Sequence, residues 1–223
     1  MNAATDLRPC QPSLLYRGCA VVVRAMARAW FRFGAVGAHH VPDSGGVILA
    51  SNHVSFADPP LVGCALRREI HFLARKSLFE VPVLGWLIRR LNAVPVDRDG
   101  GGGAGLKAIL DRVSAGEGIL LFPEGTRSAD GRLKPARAGI GLTVIKSDAP
   151  VIPVRVVGAF EAWGRHRAWP RRGRVTVFYG EPMRFERLRA EARTCGKERL
   201  KMIYQEVADE LMEAIGKLGE PRR

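Results

Sequence analysis

Residues 106–128 read LKAILDRVSAGEGILLFPEGTRS, and three segments of different character follow one another within them. Leu106–Ala115 is a helix-length stretch closed by Gly116, as a glycine C-cap closes a helix. Ile119–Phe122 is a short apolar run of strand length. It breaks at Pro123 into a polar turn that carries Glu124, Gly125, Thr126, Arg127 and Ser128. The same alternation extends in both directions. Further strand candidates are Val47–Ala50, Ile70–Ala74, Ala93–Val96, Val151–Val157 and Val175–Tyr179, with helix-length stretches at Pro59–Arg68 and Arg137–Ser147. Strands alternating with helices predict an α/β domain with a mostly parallel central sheet flanked by helices. The tail from Lys197 to Lys217 places Leu200, Ile203, Val207, Leu211 and Ile215 at offsets of three and four, which marks an amphipathic helix lying on that domain.

Upstream, residues 13–36 read as one helix on which Arg17, Arg24, Arg28 and Arg32 share a face. Leu15, Cys19, Val22, Val23, Met26, Trp30 and Phe33 cover much of the remainder. A basic amphipathic helix with aromatics near its end suits a membrane interface, and it suits equally a core-packing helix with a solvated basic face. The expected organisation is a membrane-associating segment over 1–36 and an α/β domain over 37–223. A chain of 223 residues fits one such domain, and an apolar fraction of 47% supplies its core.

The charge balance narrows the partners. There are 35 Lys and Arg against 22 Asp and Glu, a net charge of +13, which predicts attraction to nucleic acid or to anionic lipid. No zinc-finger spacing, aromatic-basic run or clear recognition helix supports nucleic acid, whereas lipid explains the arginines of the amphipathic helix. Cys10, Cys19, Cys64 and Cys195 are widely spaced and read as free thiols in a reducing compartment. His39, His40 and His71 lack metal-ligand spacing, so no metal is expected. Asp6 and Pro9 argue against a secretory leader, and no run of ~18 apolar residues is long enough to span a bilayer.

In open α/β sheets, ligands sit beyond the carboxyl ends of the strands. The residues following the strand candidates are Asn52-His53, Arg75-Lys76, Asp97-Arg98 and Pro123 to Ser128, so one histidine, several cations and a carboxylate are expected on one rim. His53 stands five residues before Asp58, which precedes Pro59-Pro60. An Asp before Pro reads as a helix N-cap, and the same carboxylate can accept the ring N–H of His53 and leave the other nitrogen as a base. Arg127 can fork two hydrogen bonds onto a phosphate, with the amides of Gly125 and Thr126 adding to them. The glycine run Gly100–Gly105 formally satisfies G-x-G-x-x-G, yet it follows Val-Asp-Arg-Asp instead of meeting a strand and reads as a loop over the site.

His53-Val-Ser-Phe-Ala-Asp58 resembles the H-x4-D signature of the glycerolipid acyltransferases, most closely the 1-acylglycerol-3-phosphate acyltransferase family. Arg75-Lys76-Ser-Leu-Phe with Pro82 and Gly85, Ala93 to Arg98, Phe122 to Ser128, and Ala149 to Val154 agree with further blocks in order. The resemblance implies transfer of a fatty acyl group from an acyl carrier protein or coenzyme A thioester to a lysophospholipid hydroxyl at the cytoplasmic face of a membrane. It implies His53 as base and Asp58 as its partner. Lys76, Arg98 and Arg127 would be the phosphate-side cations, with Glu124, Gly125 and Thr126 shaping the acceptor site. No cofactor is implied beyond the acyl-donor substrate. No serine lies in a G-x-S-x-G elbow, and Cys64 falls inside a predicted helix, so direct transfer without an acyl-enzyme is expected. Acceptors other than 1-acylglycerol 3-phosphate, such as a lyso-ornithine lipid, would use the same base, and a lipid-binding protein without activity is the alternative outside enzymes.

Overall fold

In the computed structural model, which describes residues 13–96 and 103–220, Val47–Ser51 forms strand β2 with all five residues buried. It is uniformly buried because it lies in the middle of the sheet. β5 (Gly118–Leu121) pairs with it in parallel on one edge and β6 (Val151–Val157) on the other. Beyond β5 come β3 (Ile70–Arg75) and β4 (Ala93–Val96), both parallel. Beyond β6 come β7 (Thr176–Tyr179), antiparallel to it, and the edge strand β1 (Gly34–Val36), parallel to β7. The order is β1-β7-β6-β2-β5-β3-β4. A strand covered on both faces needs apolar side chains at every position, which is why its sequence reads as a continuous run.

Period-two alternation then divides the core. Val47 and Leu49 join one cluster with Leu61 and Val62 of α2 (Asp58–Cys64) and with Ala27 and Phe31 of α1 (Leu14–Phe31). Ile48 and Ala50 join the other, with Ile109 and Val113 of α4 (Gly103–Ser114) and Ile140 and Val144 of α5 (Ala138–Lys146). Against that second face lies the long helix of the tail, Lys197–Lys217, where Ile203, Val207, Leu211 and Ile215 are fully buried. Burial of each contributes about 2 kcal/mol. Gly141 on α5 is what lets the two helices meet, since a Cβ there would stand 1.9 Å from the carbonyl oxygen of Tyr204. Three shorter helices, α3 (Pro82–Arg90), α6 (Ala159–Trp163) and α7 (Glu186–Ala192), complete the helical layers among the described residues.

Three expectations change. The helix read over 13–36 ends at Phe31, where Arg32 turns left-handed (φ 44°) and Gly34–Val36 enters the sheet as β1. The backbone around Val175 makes this possible: its N–H donates to Phe31 O, and its own carbonyl accepts from Gly34 N–H. Of the four arginines, Arg17, Arg28 and Arg32 are exposed, but Arg24 leaves the solvated stripe and is drawn inward to donate from Nε to the carbonyl of Cys64 at 2.7 Å. Much of the apolar remainder faces outward instead, with Val21, Val22, Met26 and Trp30 all exposed. Finally, the helix expected over Pro59–Arg68 stops at Cys64. Arg68 is buried and donates to the carbonyls of Pro42, Gly45 and Gly116, a tie between loops that a helical continuation would not reach.

Candidate active site

β2 and β5 run side by side with Ala50 opposite Leu121, so three residues further on His53 stands level with Glu124. The two strand-end loops are joined there. His53 N–H donates to Glu124 Oε1 at 3.1 Å, and Ser128 N–H donates to His53 O at 2.7 Å. Asn52 fixes the other side of the loop, exchanging two hydrogen bonds with the backbone of Val156 on β6. The loop after β2 is therefore held from both sides, through His53 to the loop after β5 and through Asn52 to β6.

Asp58 fixes the ring. Its Oδ2 lies 2.8 Å from His53 Nδ1 and accepts from the backbone N–H groups of Val54 (2.7 Å) and Ser55 (2.8 Å). The N-cap reading of Asp58 is thus corrected, since its carboxylate bonds the loop before α2 and none of the amides within it. Proline chemistry supplies the reason. A cap accepts from the second or third helical N–H; Pro60 has none, and Leu61 N–H is already bonded to Ala57 O. The fully buried carboxylate accordingly turns back toward the histidine loop. With Nδ1 donating to it, the neutral imidazole carries its lone pair on Nε2. Phe122, the residue after β5, stacks on the ring at 3.8 Å between centroids and 16° between planes.

The second loop is equally ordered. Phe122 O accepts from Gly125 N–H to close a tight turn, and Gly125 has φ 70°, where a side chain would also bring Cβ within 2.9 Å of Arg137 Nε. Gly125 and Thr126 sit half-buried in that turn. Arg127 lays its guanidinium over the ring of Phe56, 3.4 Å from the centroid, which brings the cation onto the His53–Asp58 loop. Ser55 Oγ anchors this loop on the far side by donating to Trp163 O at 2.7 Å. Ser128 Oγ bonds Asp130, Arg132 and Gly131 and turns the chain away from the rim. Lys76 is exposed just after β3, at the same edge. Arg98, and Gly100 to Gly102 of the glycine run, lie outside the described residues; Gly103–Gly105 open α4.

Phe56, Phe122 and Trp163 were not singled out from the sequence as site residues. Phe56 stands inside the H-x4-D stretch and Phe122 at the head of FPEGTRS, so position was a signal for both; Trp163 carries none. Among the described residues no group of three or more His, Cys, Asp or Glu is placed to hold a metal ion, and Cys19, Cys64 and Cys195 are free thiols.

Glu124 is the electrostatic outlier. Burial pushes its carboxyl up to about 7, with the nearby Asp58 charge adding to the rise and the His53 amide and Lys134 opposing it. Its Oε2 is buried without a hydrogen-bond partner. Since the unfolded chain releases this proton near 4.5, the fold loses stability as pH rises from there to about 7 and no further beyond. Glu124→Gln keeps an acceptor for His53 N–H and is expected to remove that slope. The variant should gain on wild type by up to about 3 kcal/mol between roughly pH 5 and pH 8 in urea unfolding. An unchanged difference at the two pH values would show Glu124 ionising as an ordinary carboxylate.

The sequence pattern of a family described as Acyltransferase matches residues 32–157, more than half of the chain. The chain belongs to the acyltransferase family. Both motif loops of the acyltransferase rim fall inside the match. Over 207 residues, 92% of this chain and 100% of the relative, the sequence is 24% identical to a 1-acyl-sn-glycerol-3-phosphate acyltransferase of Bacillus subtilis. It is 34% identical over 113 residues to the chloroplastic 1-acyl-sn-glycerol-3-phosphate acyltransferase of Brassica napus, a match covering 50% of this chain and 33% of that relative. The acyltransferase fold is shared with the 1-acyl-sn-glycerophosphate acyltransferase PlsC of Thermotoga maritima, at a TM-score of 0.69 over 93% of this chain and 82% of that one, with 24% identity.

Proposed function

We propose that this acyltransferase moves a fatty acyl group from an acyl carrier protein or coenzyme A thioester to the sn-2 hydroxyl of 1-acylglycerol 3-phosphate, giving phosphatidic acid. The observation that carries the reading is the His53–Asp58 pair, held at 2.8 Å on the rim where Arg127 also stands. The names of the curated relatives support the choice of acceptor.

The chemistry uses one base. His53 Nε2 removes the acceptor hydroxyl proton as that oxygen attacks the thioester carbonyl carbon, and Asp58 stabilises the imidazolium that forms. The tetrahedral intermediate collapses by breaking the C–S bond, and the departing thiolate takes the proton back from His53. A thiol of pKa near ~8.5 leaves readily, so no separate acid is needed. Arg127, Lys76 and Arg98 serve as the phosphate-side cations, with Glu124, Gly125 and Thr126 shaping the acceptor site.

Membrane contact through α1 belongs to the same reading. The helix exposes an apolar face, and no helix among the described residues is long and apolar enough to cross a membrane. The protein then works at the cytoplasmic face, on a lipid that stays in its bilayer.

The test is thiol release from acyl-carrier-protein and acyl-coenzyme A thioesters in the presence of anionic vesicles, with 1-acylglycerol 3-phosphate, lysophosphatidylcholine, lyso-ornithine lipid or no acceptor. Release that depends on 1-acylglycerol 3-phosphate is expected. Equal or faster release with an acceptor lacking a phosphate monoester would overturn the assignment. Arg127→Lys retains the charge and loses the fork, so KM for the phosphate acceptor should rise about tenfold with kcat little changed. A fall in kcat alone would place Arg127 on the reacting centre instead.

A further inference from the structure

Residues 165–174 read RHRAWPRRGR: five arginines in ten positions, and no acidic residue between Glu161 and Glu181. This loop lies beyond the stretch that matches the family. Arg165, Arg171, Arg172 and Arg174 are exposed, and among the described residues none of the four pairs with a carboxylate. Trp169 at its tip is 82% exposed. An indole so exposed among unpaired arginines contributes nothing to the core.

Both roots of the loop are tied to structures described above. At its start, Gly164 pairs in a β-bridge with Ser55, two residues from His53, and Phe56 packs near Trp163 at 6.5 Å between ring centroids. Toward its end, the Arg172 guanidinium lies 5.2 Å from the ring centroid of Trp30 on α1. A continuous surface therefore runs from the outward apolar face of α1, through Trp30, across the arginine loop and up to the mouth of the active site. Aromatics interleaved with unpaired arginines are the composition of a protein face that rests at the headgroup level of an anionic bilayer.

We propose that loop 165–174 is a second lipid-docking element, which binds anionic phospholipid headgroups through Arg165, Arg171 and Arg174 and inserts Trp169 at the interface. Together with α1 it sets the rim over the bilayer, and the Ser55–Gly164 bridge connects that contact to the His53 loop. An acidic carrier protein is the other partner such charge could attract. The unsupported Trp169 and the continuity with the apolar face of α1 favour lipid. The proposal deepens the membrane-surface reading above and rests on it.

The test separates the two, because it reads binding and not turnover. The full chain is sedimented with vesicles of phosphatidylcholine alone and of phosphatidylcholine with phosphatidylglycerol, at low and high salt. Wild type should partition onto the anionic vesicles, and salt should weaken the binding. The triple variant Arg165→Gln, Arg171→Gln, Arg174→Gln should bind at least ~tenfold more weakly, since each cation near an anionic surface contributes about a fivefold factor. Trp169→Ala should weaken binding to both kinds of vesicle, with melting unchanged in either variant. Val22→Asp on α1 is the comparison. If it alone abolishes binding while the loop variants bind like wild type, the loop proposal is overturned and α1 docking stands. Loop variants that bind vesicles normally but turn over acyl-carrier-protein thioester slowly would overturn it in favour of the acidic protein.

Discussion

Replacing His53 with alanine is expected to lower acceptor-dependent thiol release by ~10²–10⁴-fold, the share that a positioned general base supplies. The loss should fall on kcat. His53 is partly exposed at the rim and its ring touches Phe122 and Asp58, so alanine removes the base without opening the core. The backbone links of residue 53, to Glu124 Oε1 and from Ser128 N–H, do not involve the side chain and survive the change. The variant should therefore melt close to wild type and still bind the acceptor. Turnover within about tenfold of wild type in the folded variant would remove His53 from the mechanism and leave the reaction without its proposed base.

Asp58 is expected to show two separable effects. Asp58→Asn keeps an oxygen that can accept from the Val54 and Ser55 amides but offers the histidine a neutral group, so the tautomer with its lone pair on Nε2 is no longer enforced. In a Ser-His-Asp triad the equivalent change costs ~10⁴-fold in kcat, and a loss of at least ~10²-fold is expected here with little change in stability. Asp58→Ala leaves two loop amides and one ring N–H without their acceptor. At about 1–3 kcal/mol for each stranded buried group, a visible drop in Tm should accompany the lost activity. Stability losses that match in the two variants would reduce Asp58 to a loop brace; activity retained in the folded Asp58→Asn would do the same.

How far the sequence could be read follows from the range of the interactions involved. Strands β2 and β5 were legible because burial on both faces demands an apolar residue at each step, and the tail helix because one face of it meets the sheet every three or four residues. Gly34–Val36 was not. Three residues at a sheet edge have no period to display, and their partners, Thr176–Phe178, lie far away in the chain. The antiparallel direction of β7 is likewise a property of its neighbour β6, not of its own residues.

The site divides along the same line. His53 and Asp58 are joined within a single loop, so spacing and residue type already foretold their contact, and the structure brings them together at 2.8 Å. The stack of Phe122 on His53 and the guanidinium of Arg127 over Phe56 depend on the alignment of β2 with β5, which no local pattern encodes. For Asp58 only the cap half of the reading fails, for a different reason, while its contact with His53 holds. The rule that Asp before Pro starts a helix assumes that a donor follows, and Pro60 removes it.

That missing donor also bears on how the proposed base is held ready. A carboxylate with no amide of its own helix to bind stays committed to the loop in front of it, whether or not a substrate is present. The alignment of the imidazole is thus completed when the chain folds, and substrate affinity need not be consumed in arranging it. The N–H that Pro60 lacks thus leaves the imidazole already placed as the proposed mechanism requires before substrate binds.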